Sequence, residues 1–272
     1  MPDTIPNLHQ WERGPKITAI GGGTGLSTML RGLKKYTKNL TAVVTVADDG
    51  GGSGVLRRDI GMPPPGDIRH CMESLANVEP IMGRLLTYRF QEGSLAGQSF
   101  GNLILAALNG VTGSFEEAVA QMSQVLAITG RILPVTSADV QLEAICRSEA
   151  LKIYVCNIMT QEGETEGYTA ADHVDALLSH GAPGLVDLCL ANSAPVRPGL
   201  VEKYREEDAA PILVDRERIR AMGLELEEYP VASEGGDYAR HDPDRLAAAV
   251  LDVYRRRAVR IFRGEQRYII EE

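Results

Sequence analysis

None of the four cysteines, Cys71, Cys146, Cys156 and Cys189, lies in a Cys-x-x-Cys pair. This leaves neither a disulfide framework nor a zinc-ribbon pattern, and the four read as reduced core thiols of a cytosolic protein. No apolar run approaches the ~20 residues needed to cross a bilayer; the longest covers only residues 103–108. Residues 1–16 are polar and carry no hydrophobic secretory segment, so the expected location is the cytoplasm, without membrane insertion. Basic excess is absent too: a formal charge of −9 argues against general nucleic-acid binding, although single loops can still attract a small anion. With 44% hydrophobic and 24% charged residues the chain is of ordinary globular composition, which excludes disorder and coiled coil. Glycine is in surplus, 28 of 272 residues, which points to loops where backbone must approach something closely.

Those glycines are not scattered evenly. A short apolar strand, residues 17–20, runs straight into Gly21-Gly22-Gly23-Thr24-Gly25, after which Leu26, Met29, Leu30 and Leu33 recur at helical spacing. A Val- and Thr-rich strand over residues 40–47 follows and ends in Asp48-Asp49. Strand, glycine turn, helix, strand is the opening unit of a parallel doubly wound sheet. Residues 50–66, with six glycines, three prolines and two arginines, read as a long irregular loop of the kind that is usually functional. Helices then dominate residues 67–129, with an apolar stretch at 101–111 and an amphipathic one at 115–128. Alternation resumes with strands near 132–135, 151–157, 185–191 and 211–214, and helices near 169–179 and 244–257. The economical reading is one mixed α/β domain with a helical excursion after its second strand.

The strand-to-helix turn at Gly21, Gly22, Gly23, Thr24 and Gly25 is built to take a phosphate, because bare backbone N–H groups and the helix dipole converge there. Thr24 and Ser27 add hydroxyl donors. No Gly-Lys-Ser/Thr follows, so this is not a Walker A loop, and Leu26 stands where a Rossmann fingerprint has its third glycine. Asp48 and Asp49 occupy the strand end that grips a ribose, a metal or a hydroxyl proton. Arg57, Arg58 and Arg69 offer guanidinium forks for a diphosphate, and Asp67 either joins them or simply caps a helix. Asn102 reads as a helix cap or a contact to sugar or base. The histidines form no metal pattern; His173 and His180 share a helix face, which is usually surface. Arg255-Arg256-Arg257 reads as the basic C-terminal end of the last helix.

Several long motifs carry a family resemblance: GGGTGLSTMLRGLK (21–34), TVADDGGGSGVLRRDIGMPPPGDIRHCM (45–72), SFGNLILAAL (99–108), VCNIMTQEGETEGYTAADHV (155–174) and RHDPDRLA (240–247). Together they resemble the bacterial gluconeogenesis-factor family, the YvcK-like branch of the CofD-like proteins, which are related to 2-phospho-L-lactate transferase. The resemblance implies a Rossmann-like three-layer α/β/α fold with a mainly parallel sheet, a lead-in over 1–16 and a single domain over 17–272. It implies a cytoplasmic regulatory protein required for growth on gluconeogenic carbon and for cell shape, which binds a UDP-sugar such as UDP-N-acetylglucosamine. By similarity the turn at 21–25 takes the diphosphate, and Asp48-Asp49 meets sugar or metal. The block from Asn157 to Tyr168 is typical of the gluconeogenesis factors and favours a non-catalytic binder. The alternative is a CofD-like transferase moving a phospholactyl group from a nucleotide-activated donor to a deazaflavin alcohol; a NAD-dependent oxidoreductase is a second alternative. No motif demands a cofactor, though two adjacent acids suit Mg²⁺, and a homo-oligomer is compatible with everything read so far.

The family carries a further strand and a glycine-rich loop between the two strands that flank residue 145. Here Ala144 reaches Arg147 through only Ile145 and Cys146, and no glycine or proline punctuates residues 135–154. Either the segment is deleted here or the sequence omits it; if it is truly absent from the pocket, weak binding and no catalysis are expected.

Overall fold

The computed structural model describes residues 11–46, 51–135, 145–181 and 184–262. The chain divides into two compact units, Met1–Thr136 and Ser137–Glu272, each built on a three-stranded parallel sheet. The mixed α/β architecture with parallel strands and flanking helices is the one its sequence pattern implies.

In the first unit β1 (Ile17–Gly21), β2 (Leu40–Thr45) and β3 (Arg131–Val135) lie side by side in that order. Ile17 pairs with Leu40, and Thr41 with Arg131, at the start of the ladders. Central strand β2 buries Leu40, Ala42 and Val44 at its alternate positions. Helix α1 (Gly23–Leu33) returns from β1 to β2 and buries Leu26, Leu30 and Leu33. Residues 11–16 are tied to the far end of this helix: the Trp11 indole donates to Lys34 O at 2.8 Å, and Asn39 Nδ2 donates to Glu12 O and Gly14 O.

The helical excursion between β2 and β3 is as the periodicity implies. It comprises α2 (Gly51–Ile60), α3 (Gly66–Leu75), α4 (Pro80–Thr87), a 3₁₀ turn at Gly93–Leu95, α5 (Phe100–Thr112) and α6 (Phe115–Val125). The long loop expected over 50–66 is largely wrong, since α2 occupies most of it. Its glycines permit close helix packing rather than irregularity: a Cβ on Gly52 would sit 2.8 Å from Gln98 Oε1 and 3.1 Å from Gly97 O. Helix α3 packs on α1 and on β2, burying Ile68, Cys71, Met72 and Leu75.

The second unit holds β4 (Ile153–Val155), β5 (Leu188–Asn192) and β6 (Glu225–Tyr229), again parallel and in chain order. Its helices are α7 (Ala170–His180), α8 (Pro198–Arg205), α9 (Arg216–Ala221) and α10 (Pro243–Phe262). A strand was expected at 211–214, but that stretch makes only a single bridge to Met159, and β6 forms the sheet edge instead. Three glutamates in ELEEY hid this strand from a hydrophobic reading. They are matched by cations: Arg256 with Glu227 at 2.9 Å, Arg257 with Glu225 at 2.6 Å and Arg216 with Glu228 at 2.6 Å. The triple arginine is therefore not a helix end, since α10 runs on to Phe262. His173, expected at the surface, is buried, and its Nδ1 lies 2.9 Å from Thr169 O. Cys71, Cys156 and Cys189 are buried, and none of the four cysteines is in a disulfide bond. No helix among the described residues is long and apolar enough to cross a membrane.

Helix α7 starts in a capping box. Asp172 accepts from Thr169 N and Thr169 Oγ1, each at 2.8 Å, and from Arg218 Nη2 at 2.8 Å. These bonds, the Thr169 backbone N–H foremost, hold the Asp172 carboxyl at about 2. A folded-state pKa below the unfolded one, about 4, stabilises the protein above that value, and the gain disappears as pH falls towards 2. We expect melting temperature to fall less steeply across that window in Asp172→Asn than in the parent. Circular-dichroism melts at stepped pH check this; equal slopes would contradict it.

Candidate functional site

Chain geometry concentrates one set of residues at the carboxyl edge of the first sheet, where ligands of parallel α/β proteins bind. Strand β1 ends at Gly21 with φ +154°, Gly22 is the extended N-cap, and Gly23 opens α1 with φ +62°. Side chains rarely adopt the first and third of these, so the abrupt turn requires glycine. At Gly22 it is crowding that matters: a Cβ would strike Thr45 Oγ1 and lie 2.7 Å from Asp67 Oδ2. The turn is thus bracketed by the end of β2 on one side and the first turn of α3 on the other. Over Gly25 the opposite holds: among the described residues, no atom outside its own helix and chain neighbours lies within 4 Å of a Cβ placed there. Thr24 and Gly25 are exposed, and α1 carries neither a side-chain cap nor an acid in its first turn. A helix N-terminus presented in this way is exposed, electropositive backbone.

Asp67 is not the cap of α3, a place held by Pro65; its carboxylate reaches across to the glycine turn. Arg69, two residues on, points to the opposite side of α3 and is 6% exposed. Its Nε donates to Asn102 Oδ1 at 3.0 Å, one terminal nitrogen pairs with Glu73, and the other lies 2.8 Å from His70 Nε2. Asn102 also donates from Nδ2 to Ser53 Oγ at 3.3 Å, so α3, α5 and α2 meet in one buried polar knot. Asn102 does not cap α5; Ser99 does, accepting from Asn102 N at 3.2 Å. Ser27 is buried and donates to Thr24 O at 3.0 Å, which turns its hydroxyl proton away from the open end of the helix.

Gly21, Gly22, Gly23, Thr24, Gly25 and Asp67 therefore come together, while Arg69, Asn102 and Ser27 face inward. Arg57 is exposed near the end of α2. Asp48 and Asp49 lie outside the described residues. Thr45, Ser53 and Gln98 were missed, although the Thr that ends β2 and the serine in GGSG sit in the quoted motifs. Gln98 is buried, and among the described residues its Oε1, beside Gly52, has no hydrogen-bond partner.

Asn157 belongs to the second unit. It follows β4, is exposed, and lines a cavity of about 140 Å³ with Cys156, Asn192, Pro195, Pro211 and Ile212. This cavity also opens at the carboxyl ends of its strands. Asn192 shapes its wall, accepting from Ala194 N and Ala232 N and donating to Ala194 O. A larger hollow in the first unit, about 690 Å³, opens among Lys16, Ile17, Leu40 and Arg131, where the strands begin. It lies at the wrong edge for ligand chemistry in this architecture.

A glycine turn feeding an uncapped helix, at the carboxyl edge of a parallel sheet with a long helical insertion, defines a Rossmann-like α/β protein. The chain belongs to the CofD family: the family described as 2-phospho-L-lactate transferase CofD matches residues 17–148 and 142–232. It is 37% identical to the gluconeogenesis factor of Bacillus subtilis (strain 168), over 88% of this chain and 98% of that protein. It is 43% identical to a protein of Thermoanaerobacterium thermosulfurigenes provisionally given the same name, over 88% of this chain and 96% of that one. A crystal structure of a UPF0052-family protein from Bacillus halodurans superposes with a TM-score of 0.79 at 33% identity, covering 86% of this chain and 99% of that one. The alignment to the Thermoanaerobacterium protein runs over 312 positions, more than this chain contains, and the family match breaks in two around residues 142–148. Relatives thus carry residues near position 145 that this chain does not, at the place where no turn residue was found.

Burial outweighs Arg69 at Glu73, whose pKa is raised by desolvation and only partly restored by the guanidinium. Removing the cation leaves that carboxylate buried and uncompensated. Arg69→Leu is expected to cost about 3 kcal/mol. The loss grows as pH rises above the unfolded glutamate pKa, because the folded group then holds its proton more tightly than the unfolded one. Urea midpoints should recover much of the loss in Arg69→Leu/Glu73→Leu; a double variant no more stable than the single would rule out the pairing.

Proposed function

We propose that this chain is a nucleotide-sugar-binding regulatory protein, a gluconeogenesis factor that takes a UDP-sugar such as UDP-N-acetylglucosamine and acts in the cytoplasm on central carbon and cell-wall metabolism. The observation that carries this reading is the open, uncapped N-terminus of α1 behind Gly21–Gly25, with Asp67 alongside. Backbone N–H groups and the helix dipole suit a diphosphate. Asp67 is poorly placed to hold a phosphate and well placed to accept a hydroxyl from ribose or sugar, or to hold a Mg²⁺ bound to the diphosphate. Four cysteines without a disulfide agree with a reducing compartment, and the name shared by the Bacillus relative supports the metabolic role. Asp48, Asp49 and Arg57 are the further ligand contacts we assign from the sequence, and Asn157 is assigned to the same ligand class through the cavity beside it.

A calorimetric titration with UDP-N-acetylglucosamine tests the reading, with GTP and NAD in parallel. Binding of the UDP-sugar alone is expected. Gly25→Val places a side chain over the turn where none of the described residues outside its own helix and chain neighbours comes within 4 Å, so it should weaken binding about tenfold or more while leaving the melting temperature nearly unchanged. Binding of GTP alone would move the protein to the transferase class, and heat from none of the three would remove the nucleotide reading.

A further inference from the structure

One face of the first sheet buries Ala19, Ala42 and Ile132; the register of the strands lays out the other face in rows. Thr18, Thr41 and Arg131 stand abreast on β1, β2 and β3, and Ile20, Val43 and Leu133 form the next row. Thr18 and Arg131 are exposed and Thr41 is half-buried. Lys16, the residue before β1, is exposed and falls on the same side by alternation. With Trp11 and Lys38 these residues line the hollow of about 690 Å³ where the strands begin. Three cations line it and no carboxylate does, on a chain whose net charge is −9.

The edge where parallel strands begin is ordinarily electronegative, because the flanking helices end there. Here those carbonyls are taken. The Trp11 indole donates to Lys34 O at the end of α1, and Lys34 Nζ donates to Ala76 O at the end of α3, at 3.0 Å. Lys38 is paired with Glu12 at 2.9 Å, whereas Lys16 and Arg131 have no side-chain partner among the described residues. We infer that this hollow is a second anion site, separate from the glycine turn, for a small sugar or polyol that carries a phosphate at each end. Neighbouring strands lie about 4.8 Å apart and alternate residues about 7 Å, so the Lys16 and Arg131 backbones are about 12 Å apart on the diagonal. Their side chains reduce that gap to the span of a short carbon chain with a phosphate on either end. Arg131 grips one phosphate with its fork, and Lys16 meets the other as a point charge. The hydroxyls of Thr18 and Thr41 stand between, where the ligand has its own hydroxyls. No carboxylate, thiol or imidazole lines the walls, so the hollow holds its ligand and offers no general base or nucleophile to transform it.

Trp11 lines the hollow and is the chain's single tryptophan, so its emission reads occupancy directly. Titration of the full chain with glucose 1,6-bisphosphate is expected to shift that emission saturably, with the same dissociation constant by calorimetry. Inorganic phosphate and citrate should bind more weakly, since the first reaches one end alone and the second has no phosphate. Arg131→Gln and Lys16→Gln are each expected to raise the dissociation constant about tenfold or more, and added salt should raise it as well. Both side chains are exposed, so circular-dichroism melts should match the parent. Gly25→Val should leave this binding unchanged, which keeps it separate from the nucleotide-sugar reading whatever becomes of that. No saturable response to the bisphosphate by either method, tighter binding of citrate, a constant unmoved by both cation variants, or loss of binding in Gly25→Val would each overturn the proposal.

Discussion

A guanidinium with almost no access to water governs the first unit. A guanidinium is costly to bury without partners, so α3 and α5 are held at the spacing that lets Asn102 and Glu73 reach Arg69. Asn102 in turn fixes α2 through Ser53. Because α3 is pinned from that side, its other side is pinned too, and this puts Asp67 against Gly22. The glycine turn is thus shaped by a polar knot on the far face of a neighbouring helix. Arg69, which the sequence offers as a ligand contact, is buried against α5 and braces the helix that carries Asp67.

Some of this was legible in the residues and some was not, for physical reasons. Strand β1, the turn and α1 were plain because an apolar run, an unbroken glycine cluster and a helical stripe follow one another without a gap. The helical excursion was plain as well. Helix α2 was not, since glycine is read as freedom, and only the packed structure reveals that Gly52 is there to admit Gln98 and Gly97. Strand β6 was hidden by its glutamates, whose arginine partners on α10 and α9 are distant in sequence. Among the candidate site residues, Asp67 and Arg69 could not be separated by spacing alone. Two positions apart on a helix means opposite faces, but the face that met the turn had to be seen.

Near position 145 the chain departs from its relatives. The family match ends and restarts there, and the two compact units also divide close by, at Thr136 and Ser137. Each unit keeps its own parallel sheet and its own opening at the carboxyl ends of the strands. In the first, that opening is backbone and charge; in the second, it is amide and apolar wall. The two openings thus offer different chemistry rather than duplicating each other.

Trp11 deserves a last word because the chain has no other tryptophan. Its indole is bonded to Lys34 O, at the C-terminal end of the helix whose opposite end is the glycine turn. Eleven residues of α1 separate the two, about 16 Å. The protein therefore carries a built-in fluorophore that belongs to one unit only. Selective excitation of it follows the opening of the first sheet while the second, which has tyrosines alone, stays dark. The turn and the fluorophore thus sit at opposite ends of one helix.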